Sequence, residues 1–217
     1  MPEVSVIIPT CNRYKTLIEN INNIRKQTYP SEIIVCDDSH ISDCEANKEL
    51  VDEVCGLADK YYYTALYDQN KNKLYGLGRA RNKGVIESSC VYVCFLDDRI
   101  SPEKDNMLES FLMTLKRLGG KKWVFGDKGA HKMSFVENCS AAKRQDLITS
   151  GMFCESINSY GFMTRELLSR YLRQGWEFVY VPEALAKPIC TGSRRNDPER
   201  QKQIDYSRSI LEKMKLV

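Results

Sequence analysis

Histidine is scarce in this chain: His40 and His131 are the only two among 217 residues. Two isolated histidines give little to a Ser-His-Asp arrangement, and no G-x-S-x-G motif supplies its nucleophile. They also leave a zinc site short of ligands, since there is no C-x-x-C to complete one. The absence of G-x-x-x-x-G-K-[ST] excludes a P-loop as far as the motif goes. No charge of one sign dominates: Lys plus Arg is 32, Asp plus Glu is 29, and the net charge is +3. That balance argues against a strongly basic nucleic-acid binder. No apolar run approaches the roughly 20 residues of a membrane helix. The opening MPEVSVIIPT lacks the basic region and cleavage site of a secretory signal.

The composition is that of a folded chain, with 42% hydrophobic and 28% charged residues. At this length folding removes roughly 70% of the surface from water, enough for a core without staples. The nine cysteines are odd in number, and several lie inside apolar runs, as in IIVC and CVYVC. Buried free thiols in a reducing cytoplasm account for them.

Strand and helix signals alternate through the first two thirds. Residues 4–9 (VSVIIP), 32–36 (EIIVC) and 91–96 (VYVCFL) read as strands buried on both faces. Residues 60–64 read as a short strand rich in tyrosine. Helical stripes run over 13–27, 43–54 and 77–87, and along Met107, Leu108, Phe111, Leu112, Leu115 and Leu118, with Pro102 near that helix's start. Residues 65–76 read as a loop. Short strands are expected at 123–126, 134–139 and 177–181, and helices at 143–149 and 165–174. Residues 187–198, rich in Gly, Ser, Pro and basic residues, read as mobile. Ile204, Ile210, Leu211 and Met214 give 196–217 an amphipathic helix. The whole reads as one domain over 1–217, with a first half at 1–100 and a second at 101–195.

Strand, helix, strand at this spacing implies crossover units and a mostly parallel sheet, whose ligands gather at the carboxyl ends of the strands. The residues following those strands are Thr10, Cys11, Asn12 and Arg13, then Asp37, Asp38 and Ser39, then Asp97, Asp98 and Arg99. Adjacent carboxylates at a strand end suit a hard divalent cation or ribose hydroxyls, or simply a solvated turn that caps a helix. The glycines of GLGRARN open a helix whose N-terminus favours anions. This segment follows a loop rather than a strand and does not complete G-x-G-x-x-G, so it is not a dinucleotide fingerprint.

Taken in order, VSVIIPTCNR, IIVCDDS, GLGRARNKGV, YVCFLDDR, ENCSAAKRQDLITSGMF, YGFMTREL and FVYVPEA resemble a family 2 glycosyltransferase. The resemblance covers about residues 3–187. It implies an α/β GT-A fold, a Rossmann-like, mostly parallel central sheet flanked by helices with a smaller acceptor-side region. It also implies a nucleotide-diphosphate-sugar donor. Pro9, Thr10 and Arg13 match the loop against base and ribose, and Asp37 and Asp38 the acids contacting them. Arg79 and Arg81 match basic contacts near the nucleotide. Asp97 and Asp98 match the acids that meet ribose and a diphosphate-bound Mn²⁺ or Mg²⁺. Acid pairs of this kind point to a UDP-sugar.

Three departures bear on mechanism. The acidic motif ends in Arg99, not a third acid, and Lys187 stands near an expected metal-side histidine. These two cations can neutralise a diphosphate themselves, which would make the ion dispensable. The segment that usually carries an acidic pair reads Gly161-Phe162-Met163-Thr164-Arg165-Glu166-Leu167. Glu166 is the first candidate for the base of an inverting transfer, with Asp98 on the donor side. Asp127, Glu137 and Glu155 are other carboxylates in that half, and His131 lies in a nearby loop. The acceptor is open among a saccharide, a lipid-linked saccharide and a small molecule. The final helix and Arg194-Arg195 suit peripheral contact of a cytoplasmic protein with a membrane, a homodimer, or packing on their own domain. The alternative is a degenerate nucleotide-sugar-binding protein of the same fold. A nucleotidyltransferase would need a glycine- and arginine-rich loop after the first strand, which PTCNR does not supply.

Overall fold

A computed structural model describes residues 2–129, 134–157 and 162–189, together with 202, 205, 206, 208 and 209. His131, Arg194, Arg195 and most of the expected mobile segment lie outside these residues. Of the expected final helix, the described positions 202, 205, 206, 208 and 209 are helical.

The first strand, β1 (Val4–Thr10), is followed by α1 (Tyr14–Arg25), β2 (Ser31–Asp37), α2 (Ile41–Ala46), α3 (Lys48–Leu57) and β3 (Lys60–Tyr63). Next come α4 (Leu77–Glu87), β4 (Tyr92–Leu96), β5 (Ile100–Pro102) and α5 (Met107–Leu118). The second half supplies β6 (Lys122–Asp127), β7 (Cys139–Lys143), α6 (Arg144–Thr149), α7 (Met163–Arg173) and β8 (Glu177–Pro188). The strands form one eight-stranded sheet in the order β3-β2-β1-β4-β7-β6-β8-β5. β3, β2, β1 and β4 run parallel, as do β6 and β8, while β7 and β5 pair antiparallel with their neighbours.

Both faces of the sheet are covered, which is why the strand sequences are continuously apolar. Val4, Val6 and Ile8 of β1 join Leu17, Ile21 and Ile24 of α1 and the buried stripe of α5 on one face. Ile7, with Phe95 of β4 and Trp123 of β6, joins Val85 of α4 and Leu167 and Tyr171 of α7 on the other. Alternation of successive side chains produces this division. Gly84 lets α4 lie close on β1, because a Cβ there would come within 2.4 Å of Ile7 Cγ2.

Four sequence expectations need correction. Residues 43–54 are not one helix: the chain breaks at Asn47, which leaves the helical conformation (φ −117°, ψ 29°) and whose side-chain Nδ2, at 2.8 Å, joins its backbone amide in donating to the Asp43 carbonyl. Pro102 is not at a helix start; it pairs with Ala186 as the last residue of β5. Residues 134–138 are not strand, and the pairing with β4 begins at Cys139. β8 runs well past Val181. Proline at 182 lacks an N–H, and β6 and β8 shift register there before resuming at Asp127↔Leu185. Gly126 faces that irregularity, where a Cβ would meet the Ala184 carbonyl oxygen at 2.1 Å. Among the described residues no helix is long and apolar enough to cross a membrane.

Candidate functional site

β1 lies between β2 and β4, so the loop after Thr10 is flanked by Asp37-Asp38 on one side and Asp97-Asp98 on the other. The structure thus brings together the acids that the sequence singled out, and separates the members of each pair in role. Successive residues at a strand end point to opposite faces.

Asp37 is fully buried. Tyr14 and Tyr61 donate their hydroxyls to Asp37 Oδ2 at 2.9 and 2.6 Å, and the Ser39 amide donates to Oδ1 at 2.8 Å, joined by the Ser39 hydroxyl. With its lone pairs occupied, Asp37 organises the loops rather than facing a ligand. Burial first, and then the Asp37 carboxylate, pushes the Tyr61 pKa well above its ordinary value, so the phenol stays a donor. Asn12 adopts a left-handed conformation (φ 54°) that asparagine tolerates, and its amide donates to Ser39 Oγ at 2.7 Å.

Asp38 turns the other way. Lys73 Nζ donates to Oδ2 at 2.7 Å, the Gly76 amide to Oδ2 at 3.0 Å and Arg79 Nη2 to Oδ1 at 3.0 Å. A Cβ on Gly76 would fall 2.3 Å from Asp38 Oδ1, so glycine is required for this approach. Lys73 belongs to the loop over 65–76 and carried no sequence signal.

Asp98 is buried, with Thr10 Oγ1 donating at 3.0 Å and Arg13 Nη1 lying 3.2 Å from both of its oxygens. Burial raises its pKa, and the Arg13 charge opposes this only in part. Arg13 keeps 41% of its side chain exposed and is therefore accessible to an anionic ligand. Pro9 lies within β1, buried.

Asp97 keeps 24% of its side chain exposed. Arg81 Nη2 donates to Oδ1 at 3.0 Å and Asn138 Nδ2 to Oδ2 at 2.7 Å. Lys128 Nζ donates to Asn138 Oδ1 at 2.7 Å, and burial lowers its pKa. Arg81, expected beside the nucleotide, is only 1% exposed. Its second arm, Nη1, reaches Glu137 Oε1 at 3.0 Å, so one guanidinium joins Asp97 to the second half of the chain. Glu137 Oε2 accepts from Thr164 Oγ1 at 2.5 Å. Burial works to raise the Glu137 pKa, but Arg81 and Thr164 outweigh it and hold it below the ordinary carboxylate value.

Glu166 is placed elsewhere. It is 2% exposed, and Arg170 Nε and Nη2 donate to its two oxygens at 2.6 and 3.2 Å. Arg170 also donates to the Ser150 and Met152 carbonyls. Two residues turn a helix by about 200°, so Glu166 and Thr164 point in nearly opposite directions. Its partners on α7 and at 150–152 make Glu166 a packing element, in place of the expected base. Asp127 accepts from the Gly129 amide at 2.7 Å, and Glu155 from Asn82 Nδ2 at 2.8 Å. Arg99 and Lys187 are held through their backbones on adjacent segments: Ser101 pairs with Lys187 in the β5–β8 ladder, and the Ile189 amide donates to the Arg99 carbonyl at 2.9 Å.

Among the described residues no three His, Cys, Asp or Glu side chains converge as a metal cage. A hard cation shared with phosphates needs only one or two protein carboxylates. Asp97 fits that requirement, being partly exposed and having spare lone pairs, whereas Asp98 is enclosed by Arg13 and Thr10.

Comparison with known proteins shows the family and the fold. The family model "Glycosyl transferase family 2" matches residues 5–124. The GalNAc(5)-diNAcBac-PP-undecaprenol beta-1,3-glucosyltransferase of Campylobacter jejuni is 35% identical over 130 residues, 58% of this chain and 38% of that protein. The chain spans 38 to 62% of the length of the curated relatives it matches. Among solved structures, the mannosyltransferase PcManGT from Pyrobaculum calidifontis, in complex with GDP-Man and Mn²⁺, superposes with a TM-score of 0.69 at 19% identity, over 90% of this chain and 58% of that one. GalNAc-T7 with UDP, GalNAc and Mn²⁺ gives 0.68 at 15% identity, over 88% and 44%. These likenesses establish a GT-A fold.

Proposed function

Because the chain belongs to glycosyl transferase family 2, we propose that it moves a sugar from a nucleoside-diphosphate donor, a UDP-sugar, to a saccharide acceptor with inversion at the anomeric carbon. The observation that carries this reading is the placement of Asp38, Asp97 and Asp98 around the loop after β1, each held by a cation, at the carboxyl end of parallel strands. Residues 1–100 supply the donor half and 101–195 the acceptor half.

In this reading Asp38 offers carboxylate oxygens to the base, steadied by Lys73, Gly76 and Arg79. Asp37 and Arg81 hold other site residues in place and touch no ligand. Arg13 exchanges part of its contact with Asp98 for a phosphate oxygen of the donor. Arg99 and Lys187 supply further positive charge to the diphosphate. Both solved neighbours bind Mn²⁺; here Asp97, backed by Asp98, would hold such an ion, whose chemistry is to offset negative charge on the leaving diphosphate. The Campylobacter relative is named for an undecaprenol-linked acceptor, and a lipid-linked saccharide is our reading for this chain, reached peripherally from the cytoplasmic side of a membrane. Met163-Thr164 and Arg99 favour a second reading, a nucleotide-sugar-binding protein without turnover.

Thermal unfolding against UDP, GDP, dTDP and CMP, each with Mn²⁺ or with EDTA, tests the proposal. Ligand at 100 times its dissociation constant stabilises by about 2.7 kcal/mol, a shift of several degrees. A shift with UDP alone is the expected result, and its loss in EDTA would show that binding needs the divalent ion. A shift with GDP alone replaces the donor assignment. No shift with any nucleotide at millimolar concentration overturns the donor site. Nucleotide binding without release of nucleoside diphosphate from any sugar donor supports the second reading.

A further inference from the structure

Resting on that functional reading, we propose that Glu137 is the group that takes the proton from the incoming nucleophile, and that Arg81 holds it at a fixed position beside the donor-side Asp97. A transfer with inversion needs a carboxylate on the side of the acceptor. The described carboxylates of the second half differ in exposure and in their connection to Asp97. Glu166 is closed off by Arg170, with 1% of its side chain exposed. Asp127 is occupied by the Gly129 amide and the Tyr180 hydroxyl. Glu155 is exposed and bonded to Asn82, outside the network of Asp97. Glu137 keeps 12% of its side chain exposed and shares one buried guanidinium with Asp97.

The two arms of Arg81 fix the geometry. A planar fork with Nη1 on Glu137 and Nη2 on Asp97 sets the two carboxylates, one from each half of the chain, at one spacing. Arg81 and Thr164 also keep Glu137 ionised at neutral pH and so able to accept a proton. Thr164 stands on α7 where the resemblance places an acid, and the Glu137 carboxylate reaches its hydroxyl from the segment before β7. The carboxylate beside Thr164 thus comes from a different element. In the step, the nucleophile's oxygen bonds to the anomeric carbon as the bond from that carbon to the diphosphate oxygen breaks. The electron pair of that bond leaves with the nucleoside diphosphate, and the proton passes to Glu137 Oε.

The test needs no acceptor. Release of nucleoside diphosphate from UDP-glucose, UDP-GalNAc and GDP-mannose is measured with water as nucleophile, with and without sodium azide. Azide is already an anion and needs no base. Glu137→Gln should lower release to water by about 10²- to 10⁴-fold, with UDP binding and the thermal midpoint kept. Glu137→Ala should regain release when azide is added, with formation of the glycosyl azide. The double variant Glu137→Gln/Thr164→Asp, which returns a carboxylate to α7, should recover part of the water reaction. Wild-type rates in Glu137→Gln, a loss that azide does not restore, or an equal loss in Glu155→Gln alone overturns the assignment and leaves the donor site intact. Absence of release by the wild-type protein from every donor removes the functional reading, and this assignment with it.

Discussion

At the amino end of the parallel strands Glu32 is closed in on every side, whereas at the carboxyl end Asp97 is held by two partners and still meets solvent. Glu32 accepts from Ser5 Oγ at 2.5 Å and the Ser89 amide at 3.0 Å and pairs with Lys60 at 2.8 Å, while Ser88 backs Ser5 at 2.6 Å. That cluster ties β1, β2 and β3 to the turn before β4 and has no room for a ligand. Asp97 has comparable hydrogen bonds, but the side chain remains 24% exposed. The sheet therefore places partnered carboxylates at both ends, and Asp97 differs from Glu32 in the solvent that its side chain still meets.

Breaking the open end should cost the most activity and little stability. Asp97→Asn should lower release of nucleoside diphosphate by about 10²- to 10³-fold, the scale of losing one charge-stabilising group, with the thermal midpoint nearly unchanged. A collapse of the midpoint would instead make Asp97 a staple. Breaking the closed end should do the reverse. Glu32→Ala removes a buried acceptor from three donors and should cost about 2 kcal/mol, or roughly 4–8 °C at this chain length, with UDP binding kept.

The two ends also differ in their response to acid. Burial alone would raise the Glu32 pKa, but Lys60, Ser5 and Ser89 outweigh it and hold it at about 2, below the ordinary 4.5. A depressed folded-state pKa gives stability that is complete above the ordinary value and is lost as pH falls from about 4.5 toward 2. Urea unfolding over that window should show the wild-type advantage over Glu32→Gln shrinking as pH falls. Asp98 has the opposite shift, so it should not share this loss. The smallest effect concerns the cradle of Asp38. Gly76→Ala should weaken UDP binding by about tenfold, roughly 1.4 kcal/mol, because the added Cβ collides with Asp38 and Arg79; calorimetric titration reads this directly.

Much of the carboxyl end was legible in the sequence. Runs such as VSVIIP and VYVCFL announce strands buried on both faces, and the acids that follow them must lie at one end of a parallel sheet. Local sequence could not say that Asp37 and Asp38 have different jobs, because their partners come from residues 14, 61, 73 and 79. Nor could it weigh Arg81, whose burial depends on Glu137, far away in the chain. The acceptor half was less legible for a related reason. β5 is three residues long and is defined only by its pairing with β8. β8 carries a proline where its register changes. Glu166 is closed off by its i→i+4 pair with Arg170, a contact that its segment GFMTREL alone does not contain.

Hydrogen exchange of the intact chain, with and without UDP and Mn²⁺, tests most directly that the carboxyl end is the donor site. Protection on adding the nucleotide is expected at residues 10–13, 37–39, 73–81 and 97–99, with no change around Glu32 and residues 88–90. Protection at the amino end of the strands, or none at the four carboxyl-end segments at saturating UDP, would contradict the account.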